Sequence, residues 1–360
     1  MATYAPSSST WNGVTFYSYT RQIPPLNLKP EITSSFEVGT ELRFWNDRLW
    51  LDATYYHMAT KNQIMSVDVS RTTGFGSSLI NAGNIQNQGV EIQLGGRPVD
   101  KNGGLRWDVN VNWAANRNEV VELYPGIESL DLGPANNVII QAMPGKPFGQ
   151  IIGGAYQRDG DGHIVVNAQG VPNVVSNQVL GNILPRWTGG VNNTLHYKNL
   201  LLSFLVDLRW GGDFFSYTTW HNLANGTLPA TTANGVRENG MIVAGVKEDG
   251  SANDIRISAE DYFRGGYVWD LHENSIIDGS YIKLREVVLG YTWQLKANKY
   301  LKKATFSLVG RNLALLYTHK SNIAHIDPET GMGVGNNGLG VEVYQIPPTR
   351  SVGLKVQLGF

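Results

Sequence analysis

Cysteine is absent from the 360-residue chain, and charged residues are scarce. Without cysteine, the chain has no disulfide framework, no thiolate metal site and no cysteine nucleophile. Asp, Glu, Lys and Arg make up only 16% of the sequence, against about 25% in ordinary soluble domains. The formal net charge is -1, so electrostatics give no reason to expect nucleic acid as a partner.

Long apolar runs and an export signal are missing as well. No stretch approaches the roughly 18 apolar residues that a membrane-spanning helix requires. The first residues have neither a basic n-region nor an apolar h-region, which a secretory signal peptide contains. Because an exported protein needs such a signal, we expect part of the protein to precede this sequence.

The sequence does contain a strict alternation of apolar and polar residues. In 351–360, valines, leucines and the terminal Phe360 occupy one parity, and polar or small residues mostly occupy the other. Successive side chains of a strand point to opposite faces, so such a segment has one apolar face and one polar face. The same alternation occurs in 36–44, 90–94, 105–113 and 200–210.

This periodicity predicts an all-β protein with about nine long strands. Lys283 and Arg285 share a parity with the later apolar residues Leu289 and Tyr291. That irregularity predicts either a β-bulge or a strand that rises above the membrane. The expected strand spans are 31–45, 48–65, 78–97, 104–119, 184–198, 200–214, 276–295, 303–317 and 348–360.

The connections between these strands alternate in length. The short ones are 45–48, 100–103, 197–199 and 296–302. The long ones are 66–77, 120–183, 215–275 and 318–347. Short turns at one end and long loops at the other are typical of an outer-membrane β-barrel.

The terminal Phe360 predicts the direction of the strands. Outer-membrane barrels commonly finish on a strand whose last residue is aromatic, lies at the periplasmic side and serves as an assembly signal. The last strand then runs toward the periplasm, and the long loops are extracellular. Because neighbouring strands alternate in direction, the first of the nine strands, 31–45, also runs toward the periplasm. We therefore expect residues 1–30, which precede it, to form an extracellular loop segment.

Nine strands are an odd number, whereas single-chain bacterial barrels normally have an even number. An open sheet in lipid leaves backbone groups unpaired along two edges, and each such group costs several kcal/mol in hydrocarbon. We therefore expect these strands to pair with N-terminal strands that the sequence does not contain.

Several motifs, in order along nearly the whole chain from about residue 26, resemble the barrel region of SusC/RagA-like TonB-dependent transporters. Taken together, they are more specific than any one of them alone. They are Leu28-Lys29-Pro30-Glu31, Phe36-Glu37-Val38-Gly39-Thr40-Glu41, Arg48-Leu49-Trp50-Leu51-Asp52, Thr54-Tyr55-Tyr56, the run 81–92 (NAGNIQNQGVEI), the run 278–286 (DGSYIKLRE), Gly310-Arg311-Asn312-Leu313, Asp327-Pro328-Glu329 and Pro347-Pro348-Thr349-Arg350-Ser351.

The resemblance implies an antiparallel transmembrane β-barrel of about 22 strands, with 31–360 as its C-terminal part in the cell outer membrane. It implies TonB-dependent import of oligosaccharides or peptides, with no catalysis and no cofactor. The implied partners are a SusD-like surface lipoprotein acting as a lid, TonB acting through the N-terminal region, and outer-membrane lipid. The plug domain of the family is absent from this sequence, so no residue here is assigned to gating.

The loop 215–275 contains four aromatic residues among polar ones, and these are our substrate-contact candidates: Trp220, Tyr262, Tyr267 and Trp269. Aromatic rings stack on sugar faces and on peptide side chains, and long loops on a rigid scaffold commonly carry function. The alternative is that the rings pack the loop against itself or against the lid protein. Tyr156, in the loop 120–183, is a weaker candidate.

Asp207 and Arg209 share the polar face of one predicted strand and are candidates for lining the lumen. They could border a substrate path or belong to a structural hydrogen-bond network. The segment Asp159-Gly160-Asp161-Gly162 lacks the remainder of a calcium-binding loop and predicts a tight turn. The histidines are scattered, and no catalytic triad, carboxylate pair or phosphate loop stands out. We therefore predict neither a metal site nor an enzyme.

Two other classes of protein remain open at this point. One is an outer-membrane barrel receptor that works without TonB coupling. The other is a soluble surface β-sandwich such as a lectin, in which the apolar faces would pack on each other. Strands in globular proteins are mostly about five or six residues long, and the much longer strands predicted here favour the membrane barrel.

Overall fold

The structure is a computed structural model that describes residues 4–19, 22–23, 25, 27–133, 137–295, 300–329, 340–346 and 348–360. Parts of four predicted segments lie outside the described residues. They belong to the segment 1–30, the loop 120–183, the turn 296–302 and the loop 318–347.

Twenty-three strands and three α-helices are present in the described residues. The first twelve strands are β1 (Tyr4–Trp11), β2 (Val14–Tyr19), β3 (Gln22–Ile23), β4 (Ile32–Phe44), β5 (Leu49–Asp68), β6 (Ser77–Asp100), β7 (Leu105–Leu123), β8 (Leu130–Gly133), β9 (Ile139–Ala142), β10 (Gln150–Tyr156), β11 (Val165–Val166) and β12 (Val174–Asn182). The others are β13 (Pro185–Tyr197), β14 (Leu200–Gly211), β15 (Asp213–Ser216), β16 (Met241–Ile242), β17 (Val246–Lys247), β18 (Arg256–Ile257), β19 (Ile276–Asp278), β20 (Tyr281–Gln294), β21 (Lys303–Thr318), β22 (Val341–Glu342) and β23 (Ser351–Gly359). The helices are α1 (Tyr217–Ala224), α2 (Val236–Asn239) and α3 (Ala259–Arg264).

Nine long strands form one continuous antiparallel sheet, which we call the wall. Their order is β4-β5-β6-β7-β13-β14-β20-β21-β23, so each pairs with its neighbours in sequence. The short strand β3 adds to β6 in parallel. The prediction of nine long strands in an antiparallel barrel sheet is confirmed, with ends that differ from the predicted ones by a few residues.

The sequence prediction was wrong at two strand ends, because glycines interrupt the wall there. The predicted strand 200–214 breaks at Gly211 and Gly212, whose φ values are +76° and +81°. The predicted strand 276–295 breaks at Gly279, whose N–H donates to the Gly212 carbonyl at 2.9 Å. A Cβ on Gly279 would stand 2.3 Å from that carbonyl oxygen, so only glycine allows the two chains to approach here. We call this crossing the glycine kink.

A β-bulge in β20 confirms one of the two readings of the Lys283–Arg285 irregularity. The pairing of β20 with β14 and with β21 shifts register between Leu284 and Glu286. The extra residue reverses the parity. Lys283 and Arg285 therefore lie on the polar face, although they share a parity with apolar residues further along the strand.

The apolar face of the wall is not covered by protein within the described residues. Leu354, Phe36 and Leu289 keep 84%, 62% and 52% of their surface exposed. In a soluble sandwich a second sheet would bury such a face, so the exposed apolar face favours the membrane barrel over the lectin alternative. A strand of twelve residues such as β14, tilted by about 40°, crosses the apolar band of about 25 Å that outer-membrane barrels present to lipid.

Aromatic rings mark the loop end of that band. Trp187 and Trp210 stack at 6.0 Å, and Trp210 stacks on Tyr317 at 6.0 Å. At the short-turn end, Trp45 and Trp293 are exposed. Such belts lie at the two interfaces of a membrane barrel. None of the helices in the described residues is long and apolar enough to span a membrane.

The two longest connections fold together beyond the loop end of the wall, and their described residues, 124–133, 137–184 and 212–280, form what we call the loop module. It contains a four-stranded sheet in the order β12-β10-β9-β8 and the three helices. Its largest hydrophobic cluster combines both connections and consists of Val138, Ile140, Ile151, Ile183, Phe215, Tyr217 and Trp220. The wall and the loop module join at the glycine kink, where β14 continues as β15 and β19 leads into β20.

Candidate functional site

A cavity of about 300 Å³ opens in the loop module, and we call it the aromatic cavity. Three of the four aromatic residues predicted to contact substrate meet here, namely Trp220, Tyr262 and Tyr267. The residues that line it are Trp220, Leu223, Ala230, Tyr262, Phe263, Tyr267, Val268, Leu271, Asn274, Ser275 and Ile323.

Helix α1 positions Trp220 on the inner side of the cavity. Ser216 caps the helix by accepting a hydrogen bond from the Thr219 N–H at 3.0 Å, as N-cap serines do. The Ser216 hydroxyl also donates to Glu342 at 2.7 Å, which ties the loop 318–347 to this helix. Trp220 is 4% exposed, and its indole N–H donates to the Val268 carbonyl at 3.0 Å. Trp220 therefore belongs to the core of the loop module and also lines the cavity.

Helix α3 presents Tyr262 and Phe263 on another side of the cavity. Its N-cap, Ser258, accepts a hydrogen bond from the Asp261 N–H at 3.0 Å. The Tyr262 hydroxyl lies 3.2 Å from the hydroxyl of Tyr156. Tyr156 itself is buried behind Tyr262, so it supports the cavity and does not line it.

The hydroxyls of Tyr156 and Tyr267 are neutral and already form hydrogen bonds. Tyr267 donates to the Tyr262 carbonyl at 2.5 Å. Burial raises the pKa of Tyr156 and of Tyr267 above the ordinary tyrosine value. Since neither ionises near neutral pH, they act as fixed hydrogen-bonding groups in a mainly apolar cavity.

Trp269, the fourth predicted aromatic residue, lies outside the aromatic cavity. It is 45% exposed and packs edge-on against Trp220, with ring centroids 5.1 Å apart. The structure therefore separates the predicted set into three rings that line the cavity and one on the surface of the module.

Ser275 has a buried hydroxyl at the cavity that forms no hydrogen bond within the described residues. The nearby His272 is 6% exposed and accepts a hydrogen bond at Nδ1 from the Gly154 N–H at 2.9 Å. Burial lowers the pKa of His272, so it stays neutral. Sequence reasoning missed both residues, because their burial depends on contacts between distant loops.

A charged network lies on the polar face of the wall near its loop end. Lys283, whose side chain is only 5% exposed, contacts Asp327 at 2.5 Å and Glu329 at 2.6 Å. Arg285 contacts Glu329 at 2.5 Å and also pairs with Asp207. Two cations thus face three carboxylates and hold residues 327–329 against β20 and β14.

Asp207 and Arg209, the two predicted lumen-lining residues, have different surroundings. Asp207 belongs to the charged network and accepts a hydrogen bond from the Tyr281 hydroxyl at 3.3 Å. Arg209 donates to the carbonyls of Gly211 at 3.2 Å and Ile183 at 3.3 Å. These contacts are those of a structural network, and whether either residue borders a substrate path stays a prediction.

The predicted tight turn at 159–162 is present at the edge of the loop module. The Asp159 carboxylate accepts hydrogen bonds from the N–H groups of Asp161 at 3.0 Å and His163 at 2.8 Å. One ligand atom each of Asp159, Asp161 and His163 lies within 4.8 Å of the others. Hydrogen bonds of an Asx turn account for this grouping.

Phe360 follows β23, which pairs within the described residues with β21 along one edge. It is 80% exposed. Its role as an assembly signal stays a prediction.

An open antiparallel wall, an apolar face left for lipid and aromatic belts at both ends define a β-barrel protein of the outer membrane. Comparison with known families identifies the particular class. The family described as "TonB dependent receptor-like, beta-barrel" matches residues 2–313. The chain belongs to this family of TonB-dependent receptors.

Curated relatives agree with the family match. TonB-dependent receptor P26 of Formosa agariphila is 26% identical over 97% of this chain and 37% of its own length. TonB-dependent receptor SusC of Bacteroides thetaiotaomicron is 23% identical over 90% of this chain and 32% of its own length. The chain thus spans about a third of the length of the curated relatives it matches.

A solved structure shows the same fold. The RagAB peptide transporter superposes over 100% of this chain and 38% of its own, with a TM-score of 0.72 and 20% sequence identity. Together with SusC, this neighbour confirms the resemblance to the SusC/RagA-like barrel that the motifs indicated.

Proposed function

We propose that this chain is the C-terminal barrel portion of a TonB-dependent importer of oligosaccharides or peptides. The observation that carries the proposal is the aromatic cavity in a folded module at the loop end of a lipid-facing wall of this receptor family. A soluble nutrient would meet the loop module first and then pass along the polar face of the wall. In this arrangement the chain binds and guides a solute, and no bond is made or broken.

The proposal includes two partners. A SusD-like surface lipoprotein would cover the loop module from outside. TonB would supply the energy through the N-terminal part of the transporter, as the family name implies. The relationship to SusC supports the first partner, and the match to the TonB-dependent receptor family supports the second.

Uptake by intact cells tests the import proposal. A strain lacking the gene for the whole transporter should take up fewer oligosaccharides or peptides from a labelled mixture than its parent, and the gene should restore uptake. Loss of TonB should have the same effect. Uptake that depends on the gene but persists without TonB would instead support the receptor without TonB coupling. Equal uptake with and without the gene would refute import.

A pull-down tests the lid. A tagged full-length transporter, extracted in mild detergent, should co-purify with a surface lipoprotein in a stoichiometric complex. A transporter without the described loop residues 212–280 serves as the comparison, provided that it still folds. Purification of both forms without any lipoprotein would contradict a stable lid.

A further inference from the structure

The aromatic cavity has the size of a subsite for a single side chain. Its volume of about 300 Å³ lies at the lower end of ligand pockets, which span about 300–1,000 Å³. A cavity of about 150 Å³ already accommodates benzene. One large aromatic side chain therefore fits, whereas a chain of several sugar rings does not.

The residues that line the aromatic cavity favour an apolar group of the ligand. The rings of Trp220, Phe263 and Tyr267 face a cavity completed by aliphatic residues such as Leu271 and Ile323. Planar aromatic side chains bind best in such surroundings, because ring pairs at offset or edge-on geometry add about 0.5–1.5 kcal/mol to the burial of apolar area.

The polar groups around the cavity are too few for a sugar. The Trp220 indole and the Tyr267 hydroxyl already donate within the module. Asn274 donates to the Tyr156 hydroxyl. Each hydroxyl buried without a partner costs about 1–3 kcal/mol, and a sugar ring carries several. An aromatic side chain has at most one polar atom.

Ser275 lines the cavity, and rotation of its side chain toward the cavity would offer one hydrogen-bonding group for that polar atom. Its side chain is 0% exposed, and its hydroxyl makes no hydrogen bond within the described residues. Buried hydroxyls nearly always have a partner. An indole N–H or a phenol hydroxyl of a ligand would supply the missing hydrogen bond, and a phenyl ring would not.

We propose that the aromatic cavity binds the tryptophan or tyrosine side chain of a peptide ligand, with the Ser275 hydroxyl bonded to the indole N–H or the phenol hydroxyl. The inference rests on the proposed import function and narrows its substrate class to peptides with such a residue.

Direct binding to the purified full-length transporter tests the proposal. The probes are three blocked tripeptides, acetyl-Gly-X-Gly-amide with X as tryptophan, phenylalanine or alanine, and maltotetraose as the sugar. Titration calorimetry should give the order tryptophan, phenylalanine, alanine, with no saturable binding of maltotetraose at the cavity.

Two matched variants locate the binding. Ala230 is exposed and borders the cavity, so Ala230→Trp should fill it and weaken the tryptophan peptide at least tenfold. Ala233 is exposed on the next turn and does not line the cavity, so Ala233→Trp should leave the affinity unchanged. Equal affinity in the Ala230→Trp variant would overturn the assignment.

Ser275→Ala tests the polar contact and removes only one atom, so it serves even if the Ala230→Trp variant fails to fold. It should lower the affinity for the tryptophan peptide about three- to tenfold and leave the affinity for the phenylalanine peptide unchanged. An equal loss for both peptides would refute the hydrogen bond to the ligand.

Binding and uptake separate the two proposals. If peptide binding responds to Ala230→Trp but the gene deletion leaves uptake unchanged, the import function fails and the subsite stands. If uptake requires the gene but Ala230→Trp leaves the affinity for the tryptophan peptide unchanged, only the subsite fails. Stronger binding of maltotetraose, abolished by Ala230→Trp, would replace the peptide with a sugar.

Discussion

At the scale of single residues, the charged network is the most unusual feature of the wall. Lys283 is nearly buried, a position that lysine almost never occupies unless it is paired. Its two carboxylate partners, Asp327 and Glu329, come from the loop after β21. The network therefore decides whether this stretch of loop stays against the wall.

Lys283→Met should release residues 327–329 from the wall. Removing one partner of a buried ion pair leaves uncompensated charge and typically costs about 3–5 kcal/mol. Hydrogen exchange by mass spectrometry should show faster exchange of peptides from 319–329, with the wall strands unchanged. Lys247→Met removes a surface pair with the exposed Asp254 and should change little. Unaltered exchange at 319–329 would contradict the role of the network.

The carboxyl group of Glu329 predicts an acid-dependent change. Burial alone raises its pKa, but hydrogen bonds from Arg285 and Lys283 outweigh burial and lower the pKa to about 2 from an ordinary 4.5. A lowered pKa stabilises the folded state above pH 4.5, and that contribution disappears as the pH falls from 4.5 toward 2.

Pepsin, which works in acid, can measure this change. Cleavage within 319–329 of the wild type should increase between pH 4.5 and pH 2, relative to Glu329→Gln measured at the same pH. The variant lacks the titrating group and should be cleaved readily throughout this range. Glu260→Gln, at an exposed position of α3, should behave like the wild type. Parallel pH profiles for Glu329→Gln and wild type would refute the linkage.

At the scale of secondary-structure elements, the glycine kink connects the wall to the loop module. Strand β14 ends where β20 begins. Beyond that level, β15 and β19 form a separate pair. Period-two alternation predicts the long strands because it is a local property of the sequence. It cannot predict that Gly212 and Gly279 approach each other, since they are distant in sequence, and so the two breaks were missed.

Gly279→Ala should loosen the loop module. Its Cβ would stand 2.3 Å from the Gly212 carbonyl oxygen, a backbone atom that cannot rotate away. Overpacking of this kind costs about 1–3 kcal/mol. Limited trypsin digestion should cut the loop module faster in this variant. Gly266→Ala is the control, because nothing lies within 4 Å of its added Cβ. Equal digestion of the two variants would contradict close packing at the kink.

The aromatic cavity was only partly predictable at this scale. Composition indicated Trp220, Tyr262 and Tyr267, because rings are conspicuous among polar loop residues. Trp269 satisfies the same criterion but lies outside the cavity. Ser275 and His272 gave no signal, because serine and histidine are ordinary loop residues until a second loop buries them.

At the scale of the whole molecule, the wall separates two environments with one layer of strands. Apolar residues form the face that meets lipid in an outer-membrane barrel, and polar residues form the other face. The sequence predicted both faces because the alternation of side chains follows directly from strand geometry. It could not predict the shape of the loop module, whose core depends on contacts between residues far apart in the chain.

Arginine at neighbouring positions should distinguish the two faces. Ile92 belongs to the apolar face of β6 and Gln93 to the polar face. Ile92→Arg should cost about 2–4 kcal/mol, the penalty for a cation near the middle of the lipid band, whereas Gln93→Arg should cost little. Refolding of the full-length protein into lipid vesicles, followed by the gel shift between folded and unfolded barrels, measures both. Equal penalties would contradict the assignment of the faces.

The interlocking of the two long loops has a consequence for how such transporters diversify. The His272 N–H donates to the Gly154 carbonyl, and the Gly154 N–H donates to His272 Nδ1, both at 2.9 Å. Arg158 pairs with Glu273 at 2.5 Å, and β11 pairs with β17. Neither loop can change shape without the other. Recombination between relatives should therefore succeed when both loops are inherited from one parent, and chimeras that mix parents should misassemble. Ligand preference would then spread through the family as a two-part cassette.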